Sequence, residues 1–347
     1  DASIIQSNGD TEYEVILDRY FKYNQSIYDN IHNIKDEIDD SKDLINLNDK
    51  IQPIEKEITL FHANVANEMI NQFETNIDLI GFHGQTIFHN AKEKISKQLG
   101  DGKLLSQLTK KKVIYNFRQN DLKNGGHGAP LTPIFHKLLK KRFKIKDATF
   151  VNIGGITNIT TIWDNDHMSG TDIGPGMCLI DKWVRKKTKK NYDENGIIAK
   201  SGKIDKKALE NLIENFNRKE KINNTGSVQS YDTKYFDFSF VNNLSLEDGA
   251  ATLTEFTAKI IISAIKSKNR YKEKIILCGG GRKNNFLVEK LKKEGGIIKL
   301  IDEYGVDGDF VESQAFAYLA VRSYLKLPIS FPETTGVSEP CIGGVII

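Results

Sequence analysis

Apolar positions recur along this chain with two periods, one near two residues and one between three and four, and their alternation predicts an α/β fold. Ala2 to Ile5 and Tyr13 to Tyr20 read as strands joined by Ser7-Asn8-Gly9-Asp10, residues that favour a hairpin turn. From Ile51 the spacing lengthens, so that Ile54, Ile58, Phe61, Val65, Met69 and Phe73 share one helical face with it. That stripe lacks ordered flanking charges and reads as core packing rather than a coiled coil. Between Ile77 and His89 a buried strand precedes His83, Gln85 and His89, and Val113 to Tyr115 forms another ahead of Arg118 and Asp121. A helix is expected from about Pro133. Phe150 to Ile153 and a second β-rich run ending at Trp163 flank Gly154-Gly155 as a hairpin. Helices from Lys206 to Phe216 and from Asp248 to Lys266 follow, then a buried strand from Lys274 to Cys278 and a helix beginning near Phe286. A last helix runs from Ser313 to Tyr324. Strand pairs followed by helices, twice over, predict two similar lobes, 1–140 and 141–347, with the last helix free to return to the first.

Length supports that division, because 347 residues exceed the roughly 100–200 of a single domain and two lobes sharing a cleft are expected. The formal charge of +3 is near balance and no basic stripe is interleaved with aromatics, so no nucleic-acid partner is indicated. Mixed runs such as KSKNRYKEK and LKKEGG read as solvated helix faces. Cys178, Cys278 and Cys341 are widely spaced and lack a CxxC or His-rich partner, which argues against a zinc site or a disulfide framework and for a reducing cytoplasm. No stretch approaches the ~18 apolar residues of a membrane span, and the first residues do not form a signal peptide, so no membrane partner is expected.

The chemistry-bearing positions gather around glycine. Gly154-Gly155, Gly174-Pro175-Gly176 and Gly279-Gly280-Gly281 read as three turns, the middle one preceded by Asp172. Glycine admits close approach of backbone N–H groups to an oxyanion, and it equally serves the turn alone. The strand, glycine loop and helix around Gly279 make an anion site, although the Lys-Ser/Thr of a Walker A loop and the GxGxxG spacing are both missing. His83 and Gln85 leave a strand end, where α/β folds place ligand contacts, or they satisfy that strand end themselves. Arg118 is suited to a bidentate grip on a carboxylate or phosphate, or to pairing with Asp121; Gly125-Gly126-His127-Gly128-Ala129-Pro130 forms a glycine-rich loop beyond it.

In combination these blocks resemble the anhydro-N-acetylmuramic acid kinases of the hexokinase/actin-like ATPase superfamily. Gly81 to Thr86 is similar to the family's HGQT block, and Asn116-Phe117-Arg118 through Leu131 to its DFR…GGQGAPL block. Asn152 to Ile156 resembles the NIGGI hairpin, Asp172 to Gly176 the DTGPGN turn, and Asp248 to Thr254 the ATLT helix. Cys278 to Gly281 with Asn284 matches the CGGG…N loop, and Glu312 to Ala317 the E-x-x-AFA segment. The blocks follow the family's order over nearly the whole chain.

The resemblance implies a two-lobed actin/hexokinase-like ATPase fold with a central cleft, its C-terminal lobe binding the nucleotide. It implies a cytoplasmic, homodimeric kinase that uses ATP, Mg2+ and water to open 1,6-anhydro-N-acetylmuramic acid and phosphorylate O6, during recycling of cell-wall peptidoglycan. Asp172 is then the base that takes the water's proton. Gly154, Gly155, Gly174, Gly176, Gly279, Gly280, Gly281 and Asn284 are the expected nucleotide contacts, and His83, Gln85, Arg118, Asp121 and Glu312 the sugar contacts. No residue is singled out as a metal ligand. The family's opening strand and GxMSGTSxDG hairpin would end where this chain begins, at Asp1, and that phosphate loop is expected ahead of it. Asn116, His127, Ile173 and Met177 depart from the family residues, and the PKSTGRE-type segment reads Val228-Gln229-Ser230-Tyr231-Asp232-Thr233-Lys234. Two rivals share the glycine turns: a kinase of another small sugar, and a non-catalytic actin-like ATP-binding protein.

Overall fold

The computed structural model describes residues 1–73, 76–223, 229–267 and 274–347; Val228 of the altered segment and 268–273 of the lysine-containing run lie outside the described residues. The strands are β1 (Ala2–Ser7), β2 (Tyr13–Arg19), β3 (Leu79–Phe82), β4 (Gln85–Asn90), β5 (Ile95–Leu99), β6 (Lys112–Tyr115), β7 (Ala148–Ile153), β8 (Ile156–Ile162), β9 (Met168–Pro175), β10 (Lys274–Cys278), β11 (Ile298–Leu300) and β12 (Val345–Ile346). The chain forms two compact units, Asp1–Leu138 with Glu312–Ile347, and Leu139–Val311.

In the first unit, β1 and β2 pair antiparallel across the expected turn, where Asn8 Oδ1 accepts from the N–H groups of Asp10, Thr11 and Glu12. Helix Asn48–Asn71 carries the predicted stripe, and Ile51 and Ile58 pack with Ile27, Ile31 and Ile34 of a helix over Gln25–Glu37 that the sequence analysis leaves unassigned. Asn24 caps this second helix through the N–H of Ile27, 2.8 Å away. β3 and β6 run parallel side by side and β12 adds antiparallel to the other edge of β6. Helix Val311–Tyr324 lies against β3 so closely that a Cβ on Gly81 would sit 2.7 Å from the Phe316 carbonyl oxygen.

The second unit is a five-stranded sheet in the order β11-β10-β7-β8-β9, with β7, β10 and β11 parallel to one another and β8 and β9 antiparallel. Helix Leu246–Ser267 is apolar on nearly every side because it is covered on both. Ala258, Ile261 and Ile265 pack with Val151, Ile153, Ile275 and Leu277 of the sheet, while Ala250, Leu253 and Phe256 join Leu179, Trp183 and Leu212. Each fully buried aliphatic side chain contributes about 1.5–3 kcal/mol. A Cβ on Gly249 would strike the Trp183 indole at 2.5 Å, so this glycine admits the tryptophan.

Two expectations need correction. The middle glycine motif is not a turn: Asp172, Gly174 and Pro175 lie in β9, where Ile156 pairs with Pro175. β9 is the outer strand of its sheet, and an outer strand tolerates proline because its outward N–H has no ladder partner to lose. The helix expected to stop at Phe216 continues over Lys206–Asn223, since the apolar stripe ends there but no glycine or proline stops the backbone. No helix among the described residues is long and apolar enough to cross a membrane.

Candidate active site

Within the second unit, β7 and β10 lie side by side and each is followed directly by glycine, Gly154 and Gly279. A Cβ on Gly281 would lie 2.3 Å from Ile153 Cγ2, and on Gly279, where φ is +78°, 2.5 Å from Asn152 Oδ1. These two glycines therefore let the β10 loop close onto the end of β7. Gly174 and Gly176 are also required internally, since their Cβ atoms would approach Ile260 Cγ2 at 2.7 Å and the Gly154 carbonyl oxygen at 2.2 Å. Gly280 is different: a Cβ there would meet no atom within 4 Å. Gly155 is similarly open, with nothing nearer than 3.9 Å. The fold does not demand glycine at these two positions, and the loops present bare backbone there.

The β7–β8 turn and the end of β9 are tied together. Gly176 N–H donates to the Gly155 carbonyl at 2.9 Å, and Met177 N–H to that of Gly154 at 2.8 Å. Those amides, at the start of helix Cys178–Lys187, are thus committed within the chain. Upstream of them on β9, Asp172 has a buried side chain, pairs across the sheet with Asn158, and accepts a hydrogen bond from the Tyr231 N–H at 3.0 Å. Asn284 caps helix Asn285–Glu294 through the N–H of Leu287 at 2.9 Å, while its Nδ2 is buried without a hydrogen-bond partner.

Arg282, which sequence reasoning misses, fixes the loop after β10. Its guanidinium is 4% exposed, donates through Nε and Nη2 to both Asp302 oxygens at 2.8 and 3.0 Å, and through Nη1 to Asp309 at 2.7 Å. The Asp302 and Asp309 carboxylates oppose the cost of burying this cation and hold it charged. Asp181 is a second missed residue. Burial pushes its carboxyl up to about 7, opposed by the nearby Arg185 charge and aided, to a lesser degree, by Asp193. Its Oδ1 is buried without a hydrogen-bond partner, whereas the Asp193 oxygens accept from the N–H groups of Ile198 and Ala199 at 2.8 and 2.9 Å.

In the first unit, His83 and Arg118 follow the carboxyl ends of the parallel strands β3 and β6. Arg118 Nη2 lies 3.0 Å from His83 Nε2, and Nη1 donates to the Gly128 carbonyl at 2.7 Å. Burial, reinforced by the Arg118 charge, lowers the His83 imidazole to about 3, so it is neutral and accepts from the guanidinium. Phe316, from helix Val311–Tyr324, packs tilted against its ring with centroids 4.1 Å apart. Asp121 is 1% exposed; its Oδ1 accepts from the Gly128 N–H and its Oδ2 from the Thr335 hydroxyl, both at 2.6 Å. Asp121 thereby anchors the glycine-rich loop. His127 in that loop has a buried Nδ1 without a hydrogen-bond partner. Gln85 opens β4, and Glu312 is exposed in the first turn of its helix. His83, Arg118 and Asp121 thus converge on one loop. Glu312 is one turn from Phe316, in a helix fixed to β1 and β2 by Ser3, Asp18 and Gln314.

The described residues define an α/β protein with glycine-containing loops at the carboxyl ends of parallel strands in each of two compact units, the place where such folds put ligand contacts. The family profile for anhydro-N-acetylmuramic acid kinase matches residues 1–347, and the chain belongs to that family. A relative named anhydro-N-acetylmuramic acid kinase from Pelagibacter ubique (strain HTCC1062) is 52% identical over 357 residues, covering 100% of this chain and 94% of its own. Relatives of the same name from Rhizobium etli and Rhodospirillum rubrum are each 38% identical, covering 86% and 85% of this chain and 81% and 78% of their own. The solved "Activator of the 2-Hydroxyisocaproyl-CoA Dehydratase from Clostridium difficile with bound ADPNP" aligns at 15% identity over 52% of this chain and 61% of its own. Its TM-score of 0.32 carries no argument about the fold.

Proposed function

We propose that this protein is an ATP-dependent kinase that hydrolytically opens 1,6-anhydro-N-acetylmuramic acid and phosphorylates O6, giving N-acetylmuramic acid 6-phosphate and ADP in peptidoglycan recycling. Membership of the family supports the reading. The observation that carries it is the union of carboxylate and cradle: Asp172 sits on the strand whose end is hydrogen-bonded into the Gly154-Gly155 turn. Water attacks the anomeric carbon and gives its proton to Asp172. The C1–O6 bond breaks and O6 takes the γ-phosphoryl group as the bond to ADP is released. Such transfer depends on positioning and charge stabilisation. Gly155 and Gly280 offer open backbone to the phosphates, and Gly279, Gly281, Gly174 and Gly176 hold the loops in place. Asn284, with its unpartnered Nδ2, supplies a donor on the nucleotide side.

Magnesium needs few protein ligands when phosphates carry it, and among the described residues no cluster of three His, Cys, Asp or Glu side chains is built for a metal. Asp172 is the buried carboxylate on the cradle's own strand that would face such an ion, which when bound neutralises phosphate charge. On the sugar side, Arg118 is assigned to the lactyl carboxylate, with His83, Gln85 and Glu312 beside it and Asp121 holding the loop. A cytoplasmic homodimer accompanies this reading.

The test is to incubate the protein with ATP, magnesium and the anhydro-sugar and to look by mass spectrometry for a ring-opened 6-phosphate. Asp172→Asn is expected to lower kcat about a thousandfold with nucleotide affinity kept. Absence of product from the full-length protein sinks the kinase reading, and full activity in Asp172→Asn removes that residue from its role.

A further inference from the structure

The segment after residue 228 forms a strap along the outer edge of β9, at the level of Asp172. Asp172 N–H donates to the Gln229 carbonyl at 3.1 Å, Gln229 N–H to the Thr171 hydroxyl at 2.8 Å, and Tyr231 N–H to Asp172 Oδ2 at 3.0 Å. The strap is fastened to helix Lys206–Asn223 at one carboxylate. Tyr231 donates its hydroxyl to Glu220 Oε2 at 2.6 Å, and Tyr235 donates to Oε1 at 2.9 Å. Lys219, beside Glu220, donates to the Tyr235 carbonyl at 2.7 Å. The two phenol rings pack with centroids 5.1 Å apart, and Phe236 lies 5.4 Å from each. Burial first, and then the acceptor Glu220, raise the Tyr231 phenol far above its ordinary range, so it stays protonated and keeps donating.

A carboxylate that must take a proton from water in one direction needs its rotation about the Cβ–Cγ bond fixed, and a backbone N–H helps to fix it only if that N–H is itself held still. We propose that Glu220 is a positioning residue for the reaction: by clamping the Tyr231 and Tyr235 hydroxyls it holds the Tyr231 N–H on Asp172 and so orients the catalytic carboxylate. The proposal rests on the kinase reading. Tyr231 lies in the stretch Val228 to Lys234, which reads differently from the PKSTGRE-type segment of the family it resembles.

Glu220→Ala removes both acceptors, whereas Glu220→Gln keeps one and can still hold one phenol. With the anhydro-sugar and ATP as substrates, Glu220→Ala is expected to lower kcat about tenfold while both KM values stay within about twofold, and Glu220→Gln to recover most of the loss. Amide hydrogen exchange read by NMR supplies a measure independent of turnover. The Tyr231 amide should exchange about tenfold faster in Glu220→Ala, with the amides of β7 and β8 unchanged. Unaltered kcat with a protected Tyr231 amide overturns the proposal, as does faster exchange throughout the unit with no rescue by glutamine. If the wild-type protein turns over no sugar, the kinase reading fails, and the Tyr231 amide still decides whether Glu220 holds the strap to Asp172.

Discussion

Asp181 shows how one residue can set a pH dependence. The folded carboxyl keeps its proton up to about 7 and the unfolded one loses it near 3.8, so between those values the native state binds more protons and stability falls as pH rises. Asp181→Asn removes this dependence. By calorimetry its advantage over wild type should be near zero at about pH 4 and reach on the order of 2 kcal/mol above about pH 7, after discounting for residual solvent access. An advantage that is equal at both ends would contradict the assignment. The residues that sequence reasoning finds and those it misses differ in physical kind. His83, Arg118 and Asp121 are legible because they follow short apolar strands in a recognisable block. Arg282 and Glu220 sit in ordinary charged runs, and what makes them special is burial against Asp302, Asp309, Tyr231 and Tyr235, partners 11 to 27 residues away that no local pattern reveals.

At the scale of elements, the glycine loop after β10 separates what the fold requires from what a ligand requires. Gly281→Ala would drive a methyl into Ile153 and should cost about 1–3 kcal/mol of stability, the usual penalty of overpacking. Gly280→Ala meets nothing in the chain, so the melting temperature should be unchanged while ATP affinity, read by calorimetric titration, falls about tenfold. Unchanged affinity in Gly280→Ala would remove that position from the cradle. The three glycine motifs look alike as strings. Only the sheet register shows that the middle one is a strand carrying Asp172 and not a turn, because strand pairing overrides the breaker tendency of glycine and proline at an outer edge. The long helix stripes were legible from their spacing. The helix over Gln25–Glu37 carries the same signal in Ile27, Ile31 and Ile34, behind the Asn24 cap. Its spacing is as clear as that of the Ile51 stripe, and its many polar residues mask it.

At the scale of the whole molecule, the two units should respond differently to acid. His62 and His89 are lowered to about 4 and His83 and His136 to about 3, all mainly by burial, and all four belong to the first unit. Unfolded imidazoles take up protons below 6.5 that the folded ones refuse until those lower values, so this unit loses stability as pH falls through that window. Over the same window Asp181 favours the second unit. An acid protease acting near pH 5 should therefore cut within 1–138 before 139–311, and the reverse order would refute this balance. The first unit also gathers segments from far apart in the chain: β12 completes the sheet at β6, and helix Val311–Tyr324 covers β3 at Gly81. On a ribosome, residues 139–311 emerge as one continuous piece and can collapse at once. Residues 1–138, made before them, must wait with β3 uncovered until Glu312–Ile347 has been synthesised, so their unit finishes folding after the one that follows them in the chain.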